Sequence, residues 1–94
     1  MTQKVVVRKV RGGKLFRLRY DPEGTGKKVL LDGDFFVHPE EGIEALERYL
    51  QRCAEMGEMQ DAIRFLEGKL DEDSIEIIGA DAGELMAALW EARG

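Results

Sequence analysis

Apolar and polar positions alternate over the first third of the chain and then recur at helical spacing. Lys4 to Arg11 (KVVVRKVR) is rich in β-branched residues and reads as a strand. Gly12-Gly13 follows, supplying the positive φ angles that a tight hairpin turn requires. From Lys14 to Tyr20 the alternation is clean. Phe16, Leu18 and Tyr20 fall on one face, and Leu15, Arg17 and Arg19 on the other, as in a strand that buries one side. Asp21-Pro22-Glu23-Gly24-Thr25-Gly26 is turn chemistry throughout. A third strand then carries Val29, Leu31, Phe35 and Val37 as its inner row and Leu30, Asp32, Asp34 and Phe36 as its outer row. Three sequential strands joined by short turns predict an antiparallel meander.

The period changes after His38. Pro39 suits a first helical position, and Glu40 and Glu41 complement the positive end of the helix dipole. Ile43, Leu46, Leu50, Cys53 and Ala54 form one stripe, and Gly57 ends that helix. A second helix follows on Met59, Ala62, Ile63, Leu66 and Leu70, broken by Asp71-Glu72-Asp73. Ile75, Ile77 and Ile78 suggest a short extended segment. Asp81-Ala82-Gly83-Glu84 has the form of a capping box opening a third helix, whose buried side is Leu85, Met86, Leu89 and Trp90. The expectation is one α+β domain over residues 1–94. Residues 1–38 form a three-stranded antiparallel β-meander, and residues 39–94 a helical half of about three α-helices packed on one face.

The junction at residues 30–43 concentrates the unusual features. Gly33 interrupts a β pattern, which marks a bulge or a close backbone approach. Phe35 and Phe36 are neighbours and point to opposite faces of a strand, so one ring can enter the core while the other faces outward, unless a bulge at Gly33 alters the register. An outward aromatic calls for cover, from the chain itself or from a partner.

Charge sharpens the division between sheet and helices. Residues 1–28 hold nine Lys/Arg against two Asp/Glu (9 − 2 = +7), and residues 29–94 hold five against seventeen (5 − 17 = −12). A net charge of −5 over 94 residues argues against nucleic acid as a partner. Arg8, Arg17 and Arg19 are candidates for a basic face, either soluble strand decoration or a surface for an acidic partner or for phosphates. No stretch reaches the roughly 20 apolar residues of a membrane span, and no signal-peptide core follows Met1. A lone cysteine fits a reducing, cytoplasmic setting, and the expectation is of a whole small protein.

Self-sufficient catalysis is not indicated. One His and one Cys do not make a metal-ligand set. Gly24-Thr25-Gly26-Lys27-Lys28 lacks the phosphate-loop spacing and reads as a turn. His38, beside Pro39, is favoured as a turn or capping residue over a general base. Cys53 sits on an apolar stripe and reads as a small buried hydrophobe. Asp32 and Asp34 share a strand face, but with no companion chemistry they read as solvated or interface carboxylates.

The run Gly33-Asp34-Phe35-Phe36, entered from a strand and followed by Pro39-Glu40-Glu41 and the Ile43/Leu46/Leu50 helix, resembles the C-terminal accessory domain of lipoate–protein ligases. The similarity in element order extends over nearly the whole chain, through the Ile78-Gly79 link and the capped last helix at Glu84-Leu85. In some archaea and bacteria this domain is a separate polypeptide, the small subunit of a bipartite ligase. The resemblance implies a heterodimer with a large catalytic subunit. That subunit would bind lipoate, ATP and Mg, form lipoyl-AMP and pass the lipoyl group to a lysine of an acceptor protein. No catalytic residue or cofactor-binding site transfers to this chain. What transfers is a candidate partner interface at Leu30, Asp32, Gly33, Asp34, Phe35 and Phe36. Two alternatives stand beside it. One is an iron–sulfur scaffold or sulfur-acceptor protein, a class said to have a similar fold but working through exposed cysteines; the other is a generic interaction adaptor.

Overall fold

A computed structural model describes residues 3–10, 12, 14–24 and 26–94. Arg11, Gly13 and Thr25, which belong to the expected first strand and turns, lie outside the described residues. Strands β1 (Lys4–Lys9), β2 (Leu15–Tyr20) and β3 (Val29–Gly33) form an antiparallel sheet in the order β1-β2-β3. Its register places Val6 opposite Leu18 and Leu18 opposite Leu31. Those residues, with Phe16 and Val29, are buried, because alternation puts them all on one face.

The third strand does not run through to Val37. It stops at Gly33, and a separate strand β4 (Phe36–His38) pairs antiparallel with β5 (Glu76–Ile78) in a second, two-stranded sheet. The expected extended segment at Ile75–Ile78 thus exists and gives β4 its partner. The expected rows nevertheless keep their sides across the break. Val29 and Leu31 are buried and Phe35 and Val37 half-buried, while Leu30, Asp32, Asp34 and Phe36 are exposed.

Helix α1 spans Gly42–Cys53, α2 Met59–Glu72 and α3 Ala82–Arg93. The first helix begins three residues later than Pro39. Residues 39–41 form a turn before it, with the Gly42 N–H donating to the Pro39 carbonyl at 2.8 Å, and the His38-Pro39 peptide is cis. Asp71 and Glu72 extend α2 rather than breaking it. The stop comes at Ser74, whose φ of 55° ends the helical path. The capping box on α3 is formed: the Glu84 N–H donates to Asp81 Oδ1 at 2.8 Å and the Asp81 N–H to Glu84 Oε1 at 3.0 Å.

Helix α1 packs on β3, and α3 packs on β1 and β2, both on the inner face of the sheet; α2 packs on α1 and α3. Leu46, Leu50, Leu66, Leu85, Met86 and Leu89 meet Phe16 and Leu18 in one core. Trp90 is only half-buried, whereas Ala88 and Ala92 are buried where α3 lies close to its neighbours. Small residues at those positions let the elements approach. Among the described residues, no helix is long and apolar enough to cross a membrane.

Candidate functional site

The Gly33–Phe36 knot lies where one sheet ends and the other begins. Gly33 has φ 137°, and a Cβ there would sit 2.5 Å from both the Leu15 carbonyl oxygen and the Phe16 Cα. The residue is therefore glycine for two reasons, a backbone that L side chains avoid and the close passage of β2. Asp34 then donates its N–H to the Leu15 carbonyl at 2.7 Å, which anchors the bend. From the other side comes Gly79, with φ 101°. A Cβ on it would lie 3.2 Å from the Asp34 carbonyl and 3.3 Å from the Phe35 Cα. Two glycines from distant parts of the sequence thus clamp a short segment and fix the direction of its aromatic pair.

The pair divides as its alternation requires. Phe35 is half-buried and packs against the core, while Phe36 is 67% exposed. Across the β4–β5 ladder Phe36 faces Ile78, also exposed, and the two make an outward apolar patch. Beside it runs a shallow cleft of about 260 Å³ whose lining includes Leu31, Gly33, Phe35, Phe36 and Val37. Asp32 at its rim pairs with Arg17 at 2.7 Å on the exposed face of the sheet, where solvent limits the worth of the pair. Ile78 was the member of this patch not marked as a candidate. The signal was present, because Ile77 and Ile78 on a strand cannot both face the core.

The outer face of the three-stranded sheet carries no helix. Val5, Val7, Leu15 and Leu30 are exposed there, interleaved with Arg17 and Arg19. Leu30 therefore belongs to this open sheet face, in the cross-strand row Val5–Arg19–Leu30. Arg8 does not join the other two arginines. It is in phase with Val6 and Val10, on the inner side, and its guanidinium reaches over the sheet margin to Glu91 of α3 at 2.7 Å. The candidate basic face reduces to Arg17 and Arg19, with Arg17 already paired to Asp32.

Cys53 and Glu47 are spent on structure. Cys53 is fully buried, its thiol donating to the Ala62 carbonyl at 3.6 Å, and burial pushes its pKa up to about 11. A thiol so placed is a poor nucleophile. His38 is exposed at the end of β4. Glu47, on α1, is the buried carboxylate, and the sequence pattern did not single it out. It accepts the Leu31 N–H at 2.9 Å and the Lys27 ammonium at 3.2 Å, which ties α1 to the edge of β3. Among the described residues, no group of three or more His, Cys, Asp or Glu side chains is placed to hold a metal ion. The knot and its cleft offer shape and apolar area, with the carboxylates of Asp32 and Glu40 also in the lining. Comparison with protein-family models, with curated proteins and with solved structures finds no match to this chain.

Proposed function

We propose that this chain is the non-catalytic small subunit of a bipartite lipoate–protein ligase, docking on a large catalytic subunit through the Gly33–Phe36 knot. The observation that carries the reading is the exposed Phe36 ring, which follows a backbone bend held by close contacts at Gly33 and Gly79, on a chain whose cysteine and buried carboxylate are committed to packing. An exposed aromatic beside a cleft is the kind of anchor that partner surfaces bury.

The chemistry assigned to the partner explains why such a subunit is useful. The lipoate carboxylate attacks the α-phosphorus of ATP, pyrophosphate leaves, and the mixed anhydride lipoyl-AMP forms. A lysine amine of the acceptor protein then attacks the acyl carbon and AMP departs. Lipoate, ATP and Mg belong to the large subunit in this reading. The anhydride is prone to hydrolysis, so ordering loops that exclude water is a contribution that needs no reactive group. The burial of Cys53 weighs against the sulfur-scaffold alternative, which depends on exposed thiols.

The test is to mix this chain with the large chain of such a ligase and follow lipoyl-AMP from lipoate and MgATP. The reading expects little adenylate from either chain alone and a stoichiometric rise on mixing. Full adenylate formation by the large chain alone, or no complex with it, would reject the reading.

A further inference from the structure

The exposed Phe36–Ile78 pair sits in a part of the chain that has no Lys or Arg of its own. Residues 29–47 hold six Asp/Glu and no Lys/Arg, and residues 70–92 hold seven and none. These two stretches supply both strands of the second sheet, β4 and β5. Alternation puts Phe36 and His38 on one face of β4, and the register sets Ile78 opposite Phe36 and Glu76 opposite His38. All four are exposed, while Val37 and Ile77 are half-buried on the other face. Glu76 is therefore the diagonal neighbour of Phe36 on the outward face. On the opposite flank, exposed Glu40 lines the cleft together with Phe36.

Cations from elsewhere in the chain do not neutralise these two carboxylates. Arg17 is taken by Asp32, Lys27 by Glu47, Arg8 by Glu91 and Lys69 by Glu72. No ion pair among the described residues reaches Glu40 or Glu76. A second copy of the chain brings the same surface, on which His38 is the one basic side chain. An isologous contact through Phe36 therefore holds more carboxylates than groups to pair with them. The complement of an apolar pair flanked by carboxylates is an apolar hollow flanked by ammonium or guanidinium groups.

We propose that the surface covering Phe36 and Ile78 is a basic one: an apolar hollow on the partner protein that takes the two side chains, with Lys or Arg set to meet Glu40 and Glu76. The inference rests on the reading of this patch as the docking site of a ligase large chain, and it adds what that chain presents there. Opposite charges draw the two chains together and orient them before contact. Charge then sets the rate of association, and the apolar pair sets the lifetime of the complex.

The experiment measures association and dissociation rates of the whole chain with the ligase large chain, at about 100 mM and about 500 mM NaCl. The higher salt should slow association of the parent chain by about threefold or more. Glu76→Lys and Glu40→Lys should each slow it by about three- to tenfold at the lower salt, and by less at the higher. Should one of the two fail to fold, the other carries the test. The control is Glu55→Lys, an equal change of net charge at an exposed position just past the end of α1. The other end of that helix, Gly42, lies against Val37 of β4, so the control is about 18 Å away, beyond the screening length of about 10 Å. It should alter the rate by less than about twofold. No complex of the parent at either salt rejects the ligase reading, and this inference with it. A complex whose association ignores salt, or slows no more for Glu76→Lys and Glu40→Lys than for Glu55→Lys, rejects the inference and leaves the ligase reading standing. A dimer of the chain alone that Phe36→Ala abolishes rejects it equally.

Discussion

Truncating Phe36 to alanine separates docking from folding, because the ring is two-thirds exposed while its neighbour Phe35 packs on the core. A phenylalanine side chain buries roughly 150–250 Å² when covered, so about 100–170 Å² of Phe36 remains for a partner. At about 25 cal/mol per Å², covering that area contributes about 2.5–4 kcal/mol to association. The third already buried within the chain is worth about 1 kcal/mol to folding once denatured-state compactness is allowed for. Phe36→Ala should therefore weaken the complex with a ligase large chain by about 60- to 700-fold, converting about 2.5–4 kcal/mol at 1.4 kcal/mol per decade. The melting temperature of the isolated chain should fall by no more than about 8 °C. Phe35→Ala should do the reverse, costing about 2–3 kcal/mol of stability for a half-buried aromatic. Thermal melts of both variants beside titration calorimetry against the partner decide between these outcomes. A fall of about 15 °C for Phe36→Ala would place that ring in the core, and an unchanged dissociation constant would remove it from the interface.

Other expectations concern the parts that hold the knot in place. Gly33→Ala combines a disfavoured φ of 137° with a Cβ 2.5 Å from the β2 backbone. The two together should cost about 3–5 kcal/mol, seen as a lower urea midpoint at unchanged slope. Glu47→Ala leaves the Leu31 N–H without its acceptor and should cost about 1–3 kcal/mol; amide exchange at Leu31 should rise with it. Cys53 should resist thiol reagents at pH 8 unless the chain is unfolded, since burial raises its pKa from 9.0 to about 11. The folded state holds that proton more tightly than the unfolded one. Its stabilising contribution is present below pH 9.0 and is lost as pH rises towards about 11. Tyr49, whose hydroxyl bonds Asp73, has its pKa raised as well, first by that hydrogen bond, and adds to the same alkaline loss. Urea titrations from pH 8 to 11 should therefore show a shallower decline for Cys53→Ala than for the parent chain.

Much of this was legible in the sequence, and the exceptions share a cause. Strand β2 was readable because Leu15–Tyr20 alternates without fault, and α3 because Asp81 and Glu84 announce a local cap. The special role of Gly33 was also visible, since a glycine inside a β pattern has few explanations. Whether the chain would bulge there or leave the sheet depended on residues 76–78, more than forty positions away, whose backbone offers β4 a partner. No local pattern carries that. Arg8 was placed with Arg17 and Arg19 because KVVVRKVR does not say which valines turn inward. The answer comes from Val10 pairing with Lys14 and from Glu91 waiting on α3. Glu47 escaped notice for a similar reason. A glutamate flanking an apolar stripe reads as solvated until a strand edge with an unpaired N–H is set beside it.

Hydrogen exchange of this chain, alone and bound to a ligase large chain, tests the account at its centre. The account predicts slowed exchange at Phe36 and Val37 and along β5 on binding, while the amides of α2 keep their rates. Protection confined to α2 and α3, with the Phe36 region unchanged, would contradict it.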